Sequence, residues 1–437
     1  MTTHDPHPHP HPHPPHPATS SAVLTRRGFL QTTGAAGALG LVSAPLLASR
    51  AVLGANERLG VGFIGVGGRG RNHLDIVLGM INQGANLQVI GISDTYGPRM
   101  RANAEHARAK TYPSYQALLA DPAIDVVCIA SPDRLHVPQA LAAIRAGKDV
   151  YCEKPMGHWS QFALSKQFYE ETVQRKRVVQ IGNQGNSNVA WKKVAELIRQ
   201  GAIGRPQHVE AGYYRYGDWG ERMPIADPNA KPGPDLDWDG FLGDAPKVPF
   251  TVDRFFSWRK YLDYAGGPCT DLFPHVLTPF ISLLGLKFPS LAVASGGIFK
   301  YDTYDREVPD TFNMCLDYPS KLSIVLVCTL ANDHPTEPAI RGDEGTITMQ
   351  GPAFEGGFDS VTFLPRKGEK QVIPGSKPNT TLLHWQNFLE CVRTRAKPVS
   401  DVEFGLYVQA AMNMAMLAFL NRKVATYDTQ KQDIVLG

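Results

Sequence analysis

Apolar residues change their spacing several times along the chain, and each change marks an element. From Leu59 the run LGVGFIGVGGRGRNHL sets Val61, Phe63 and Ile64 in a short strand. A glycine turn follows, after which Leu74, Ile76 and Val77 lie on the face of an amphipathic helix. LQVIGIS reads as a second strand leading to Asp94, and the apolar runs IDVVCIAS (124–131) and KDVYCEK (148–154) are joined by the helical pattern VPQALAAIRAG. Apolar strands alternating with helices predict a doubly wound parallel sheet, whose ligand-facing groups fall at the strand C-termini. Here those are Ser131-Pro132 and Glu153-Lys154.

The character changes from about residue 181. A helix WKKVAELIRQGAIG, a strand QHVEAGYYRYG, a Pro-rich loop over 224–249 and alternating strands such as LSIVLVCTL and GTITM predict an α+β domain with a large, mostly antiparallel sheet. LLHWQNFLECVRTR and VEFGLYVQAAMNMAMLAFLNR read as helices carrying core stripes. The expected division is a nucleotide-binding Rossmann domain over 56–180 and a substrate and oligomerisation domain over 181–437.

Two further segments precede these. Residues 1–17 alternate His with Pro (His7, His9, His11, His13, then His16), which favours solvated polyproline-like chain. A spacer is the simplest role, with weak metal capture by the imidazoles as the alternative. Residues 18–55 contain Thr25-Arg26-Arg27-Gly28-Phe29-Leu30-Gln31 and a Gly/Ala/Leu stretch from Gly34 to Ala48. This basic segment with its short apolar stretch is similar to a twin-arginine secretion signal, the alternative being an amphipathic helix with two chance arginines. Cleavage between Ala48 and Ala55, and delivery of a folded protein to the periplasm or beyond, are expected.

With 437 residues, 43% of them hydrophobic, the chain is long enough for more than one core. Lys and Arg number 44 against 41 Asp and Glu, so neither overall disorder nor a polyanion-binding protein is indicated, and nucleic acid is not an expected partner. Beyond the N-terminus no stretch reads as the roughly 20 apolar residues needed to cross a bilayer, which predicts a soluble mature protein. The six cysteines, at 128, 152, 269, 315, 328 and 391, lack zinc-ligand spacing, so no metal site is expected. They read as buried thiols, with a Cys128–Cys152 bridge as the alternative in an exported protein.

The glycine turn carries the first candidate chemistry. In Gly65-x-Gly67-x-x-Gly70 the first glycine permits the turn, the second admits a pyrophosphate and the third packs helix on strand. Val66, Gly68 and Arg69 belong to the same turn, and the helix N-terminus faces the phosphate charge. Asp94 stands 24 residues past Gly70, near the spacing at which an acid binds an adenosine ribose, favouring NAD over NADP. Its alternative role is to cap a helix beginning at Tyr96.

With Ser131-Pro132-Asp133-x-x-His136, Glu153-Lys154-Pro155 and Asp271-x-x-x-His275 behind Gly266-Gly267, the chain resembles the Gfo/Idh/MocA oxidoreductases, which include glucose-fructose oxidoreductase and inositol dehydrogenases. The likeness runs over roughly residues 57 to 425. It implies cofactor contacts at Ser131, Pro132, His136, Glu153, Lys154 and Asn183. It also implies a proton-accepting role for His275, assistance from Lys154, geometry held by Asp271, and a homo-oligomer formed through one face of the second sheet.

The residues themselves fit such roles. A lysine at a strand end beside a dinucleotide can bond the reacting oxygen and share in proton transfer, especially where burial lowers its pKa. YAGGPCTDLFPHVLTPFISLLG reads as a glycine loop entering a helix, with Thr270 as N-cap, Pro274 in the first turn, and Asp271 and His275 on adjacent turns. The helix N-terminus would favour a charged carboxylate and a neutral imidazole. The plainer alternatives are a surface Lys154–Glu153 pair, an interior His275, a helix-terminal Asp271 and a turn Asn183.

Candidate substrate groups are Tyr213, Tyr214, Tyr216, Trp258, Arg259 and Tyr261, whose rings and charges suit a sugar or polyol. The expected activity is hydride transfer between a carbinol carbon and a tightly held nicotinamide cofactor in an exported enzyme. One alternative is redox-neutral glycoside cleavage of the kind performed by NAD-dependent α-N-acetylgalactosaminidases. Their Tyr-Pro-Thr-His segment is not reproduced by Leu272-Phe273-Pro274-His275. The other is a non-catalytic nucleotide or sugar sensor on the same fold.

Overall fold

The computed structural model describes Arg58 to Gly437 except residues 218–222, 303–304 and 352–357. The His/Pro tail and the secretion-signal reading lie outside the described residues.

Six strands, β1 (Leu59–Ile64), β2 (Leu87–Ser93), β3 (Lys110–Thr111), β4 (Val126–Ile129), β5 (Asp149–Cys152) and β6 (Val179–Ile181), form one sheet in the order β3-β2-β1-β4-β5-β6. Every pairing in it is parallel. All residues of β4 and β5 are buried, which is why these strands read as unbroken apolar runs. The strand order reverses between β1 and β4, leaving a crevice at their C-terminal ends.

The core of this half is completed from the far end of the chain. Trp385, Phe388, Leu389, Cys391 and Val392, on the helix Thr380–Thr394, pack with Val61, Phe63, Leu74 and Val77. Each large apolar side chain buried here contributes roughly 1.5–3 kcal/mol. The helix Val402–Asn421 reaches both halves, placing Val402, Leu406 and Ala410 in one core and Met412, Met414 and Met416 in the other. By length and composition this helix could span a bilayer, contrary to the expectation that no such stretch follows the N-terminus. Instead, 72% of its most apolar 18-residue stretch is buried among its neighbours.

The second sheet comprises β7 (Pro206–Tyr216), β8 (Leu291–Gly297), β9 (Thr311–Tyr318), β10 (Leu322–Thr329), β11 (Ala331–Asn332), β12 (Ala339–Gly342), β13 (Gly345–Gln350), β14 (Ser360–Pro365), β15 (Gln371–Pro374), β16 (Ala425–Asp428) and β17 (Asp433–Leu436). Their order is β15-β14-β13-β12-β7-β10-β9-β8-β16-β17, with β11 on β7. It is antiparallel apart from the β7–β10 pair. Strict alternation of burial along β10 shows one face turned to the core.

The Pro-rich segment is more structured than a loop. It carries the helix Trp238–Leu242, and Leu236, Phe241 and Leu242 join Phe255, Phe256, Tyr261 and Tyr264 in a small aromatic core. Two backbone bonds tie it to the end of β2, Gly97 N to Asp235 O at 2.8 Å and Asp237 N to Thr95 O at 2.9 Å. The six cysteines are all free thiols, so the Cys128–Cys152 bridge does not form.

Candidate active site

Glycine is required at two points of the turn after β1 for different reasons. Gly65 has φ +78°, and a Cβ at Gly70 would lie 2.0 Å from the Gly65 carbonyl oxygen. By contrast, a Cβ at Gly68 would meet nothing within 4 Å, and one at Gly67 would meet only the Arg99 Nη1 at 4.0 Å. The turn thus packs tightly at Gly70 and stands open where the helix Gly68–Asn82 begins.

A cavity of about 650 Å³ starts at this turn. Gly65, Gly67, Gly68, Arg69 and Asp94 line one end; Ser131, Pro132, His136 and Glu153 line the middle; Lys154, Trp258, Arg259, Asp271 and His275 line the other. Val66, Gly70 and Asn183 are buried but not part of this lining. Val66 contributes from behind, its N–H donating to Asp94 Oδ2 at 2.8 Å. Both amide atoms of Asn183 are buried without a hydrogen-bond partner among the described residues, and the next residue, Gln184, reaches the cavity.

Asp94 does not cap a helix: Tyr96 precedes the helix Gly97–Ala107 and makes no side-chain cap. The carboxylate accepts from Tyr96 N at 2.9 Å and from Arg99 through Nε at 3.0 Å and Nη2 at 2.7 Å. Arg99, which the sequence reading did not single out, therefore shares this end of the cavity with Asp94. Its place in the first turn of the next helix is the signal that could have found it.

Glu153 is held by a buried network. Arg69 Nε donates to its Oε1 at 2.8 Å, His73 Nε2 meets the same oxygen at 2.7 Å, and Lys154 N donates to Oε2 at 3.1 Å. Burial alone would raise this carboxyl, but the Arg69 charge and the His73 hydrogen bond outweigh it and hold Glu153 well below the usual carboxylate range. The surface Lys154–Glu153 pair is thereby overturned, because both side chains are buried and Glu153 has other partners. Neither His73 nor its role was apparent from sequence.

Beyond the end of β5, Lys154 Nζ donates to the Asp271 carbonyl at 2.5 Å and to Asp271 Oδ1 at 3.1 Å. Arg259 Nε approaches the same Oδ1 at 3.3 Å while its guanidinium lies 4.1 Å over the Trp258 ring. Asp271 and His275 do not share one helix as expected: Pro268–Asp271 and Phe273–Leu284 are separate, divided at Leu272. Pro274 lies in the first turn of the second. Thr270 is not the N-cap, a position taken by Gly267 at φ +63°. Its hydroxyl instead accepts from Gly266 N at 2.9 Å and donates to Asp133 Oδ2 at 3.2 Å.

Of the six substrate candidates, Trp258 and Arg259 line the cavity, and Tyr213, Tyr214, Tyr216 and Tyr261 do not. Strand alternation sends Tyr214 and Tyr216 to the face opposite Arg215, which does reach the cavity, and Tyr216 is 63% exposed. Tyr213 packs against the second-domain core, and the buried Tyr261 donates to Asp253 and Asp305. His136 spans two carbonyls, Pro155 O at 2.7 Å and Ser131 O at 2.8 Å, pinning the strand ends together.

The turn fits a dinucleotide. Its open glycines and helix N-terminus match a pyrophosphate, and Arg69 Nη2 is a buried donor without a hydrogen-bond partner among the described residues. A family model for the NAD-binding Rossmann fold of the Gfo/Idh/MocA oxidoreductases matches residues 59–183, and one for that family's C-terminal alpha/beta domain matches 187–436. The chain belongs to the Gfo/Idh/MocA family. NAD is accordingly the cofactor of its first domain.

Among Gfo/Idh/MocA relatives, inositol 2-dehydrogenase 3 of Saccharopolyspora erythraea is 31% identical over 146 residues, 33% of this chain and 42% of the relative. Inositol 2-dehydrogenase of Salmonella typhimurium is 31% identical over 160 residues, 36% of this chain and 46% of the relative. The matches span less than half the length of these curated relatives. The fold is similar to that of aldose-aldose oxidoreductase from Caulobacter crescentus, with TM-score 0.64 and 18% identity over 84% of this chain and 99% of that one. The WlbA dehydrogenase from Bordetella pertussis, solved with NADH and UDP-GlcNAcA, gives TM-score 0.63 and 18% identity over 85% and 99%.

Proposed function

We propose that this protein is an NAD-dependent oxidoreductase that transfers hydride between a carbinol carbon of a sugar or polyol and a cofactor kept in the crevice. One observation carries the reading: a single cavity joins the open glycine turn to Lys154, Asp271 and His275. Bound NAD supplies the hydride acceptor. His275 takes the hydroxyl proton, and Lys154, oriented by the carbonyl and carboxylate of Asp271, donates to the carbinol oxygen and stabilises its developing negative charge. Trp258 and Arg259 offer a ring face to sugar C–H groups and fixed donors to hydroxyls.

The inositol 2-dehydrogenases among the relatives support a polyol or sugar substrate. Export by the twin-arginine route belongs to the same proposal and is supported by Arg26-Arg27 followed by Phe29-Leu30. A resident cofactor would suit an exported enzyme and would be regenerated in place by a second carbonyl substrate. A homo-oligomer is supported by Val293, Leu364 and Val372, exposed on the sheet face away from the core.

The test is to denature the purified protein, identify the released nucleotide by mass, and add myo-inositol and simple aldoses to the intact protein. Appearance of reduced nicotinamide absorbance is expected. Sugar release from glycosides without net reduction would replace this reading with the hydrolase, and a protein that carries and binds no dinucleotide would end it.

A further inference from the structure

The carboxyl of Asp133 takes no part in the chemistry above, yet it is built into the site. It opens the helix Asp133–Arg145 directly after the Ser131-Pro132 turn and is 2% exposed. Its carboxylate accepts from the Thr270 hydroxyl, which also holds Gly266 N. Thr270 and Asp271 are successive residues of the same short helix, and Asp271 holds Lys154 through two oxygens. The nucleotide-binding half thus grips, through one hydroxyl, the turn that orients the ammonium.

Several charged groups surround this carboxyl. Arg259, Asp271 and Lys154 all act on it. On its own helix, Arg134 turns away to Asp244, and His136 is engaged with the Pro155 and Ser131 carbonyls. Glu153, before Lys154, is paired with Arg69 and hydrogen-bonded by His73, and His275 on the following helix lines the same cavity.

The charge balance depends on one proton. With Asp133 ionised, the cations Lys154 and Arg259 face two carboxylates. With Asp133 protonated, the same four groups carry one net positive charge, which favours an alkoxide at the reacting oxygen.

Resting on the oxidoreductase reading, we propose that Asp133 is a positioning residue for the Lys154–Asp271 pair and that gain or loss of its proton switches the charge felt at the reacting oxygen. Burial pushes the Asp133 carboxyl up to about 7, with Arg259 opposing the rise. The exchange occurs with solvent and needs no other reactant.

Asp133→Asn preserves an acceptor for Thr270 and removes the titration. Two measurements on the intact protein decide the matter. In an infrared titration, a carboxylic-acid C=O band should grow as pH falls through about 7 and be missing in Asp133→Asn. Fluorescence of bound NADH, used as the probe, should show a transition at the same midpoint and lose it in the variant. Thr270→Val, which keeps the carboxyl but removes its hydrogen bond, should move both midpoints upward, and it serves if Asp133→Asn fails to fold. A transition that survives in Asp133→Asn, an unmoved midpoint in Thr270→Val, or an infrared band without a fluorescence change would overturn the proposal. Failure of NADH to bind would instead overturn the reading of the site on which it rests.

Discussion

The indole N–H of Trp385 donates to Nδ1 of His73 at 2.9 Å, joining residues 312 positions apart. Because Nδ1 accepts, Nε2 carries the proton and donates to Glu153, so the C-terminal part of the chain sets the tautomer beside the cavity. Trp385 also stacks on Tyr151, with ring centroids 4.7 Å apart. Trp385→Phe keeps an aromatic ring but leaves Nδ1 without its donor, at a cost of about 1–3 kcal/mol. Chemical denaturation should show that loss together with weaker NAD binding; an unchanged unfolding midpoint would contradict the link.

The glycines of the turn separate folding from binding. Gly70→Ala drives a Cβ into backbone, so thermal unfolding should fall sharply and nucleotide binding with it. Gly68→Ala meets no protein atom and should melt like the parent, while its methyl group occupies the space open to a pyrophosphate. Calorimetric titration with NAD should find at least tenfold weaker binding in Gly68→Ala. Equal affinities would place the phosphates elsewhere.

Lys154→Met removes the ammonium held by Asp271, leaving Arg259 beside that carboxylate. Hydride transfer should drop by roughly 10²–10⁴-fold, the span typical of a positioned proton donor, while NAD remains bound. Single-turnover absorbance and equilibrium dialysis read the two effects apart. Undiminished turnover would remove Lys154 from the chemistry.

Stability should depend on pH in two opposed ways. Burial lowers His158 to about 3, with the Arg134 charge adding to the effect, and burial lowers His384 to about 4. The unfolded histidines take up protons near their ordinary value of about 6.5, so the stability from keeping them neutral is present above that value and drains away as pH falls towards those lower values. Asp133 has the reverse sign. Its raised pKa means that the folded state binds the extra proton, so its penalty grows as pH rises through the window between the ordinary carboxylate value and about 7. Urea midpoints should therefore show Asp133→Asn gaining on the parent across that window and His384→Gln losing less than the parent in acid. Parallel curves would refute both assignments.

Much of the site was legible because its signals are local. The Gly65-x-Gly67-x-x-Gly70 turn, the acid closing β2 and the lysine after β5 follow from short-range patterns of strand, turn and helix. The tyrosines were misplaced because a strand's two faces look alike in sequence until one is known to meet the cavity. Tyr214 and Tyr216 took the wrong face, and Arg215 between them took the right one. The break at Leu272 went unseen because the Pro274 signal marks a first turn equally well in one helix or at the start of a second.

What the chain determined by itself was the alternation of elements, the phosphate-binding turn and the types of side chain available for proton transfer, since each depends on neighbours only a few residues away. Folding decided which of those side chains meet. Trp385 against His73, Thr270 against Asp133, and Lys154 against Asp271 are set by how distant helices and loops pack together, and packing at a distance depends on the shape and burial of whole elements, which spacing along a sequence does not encode.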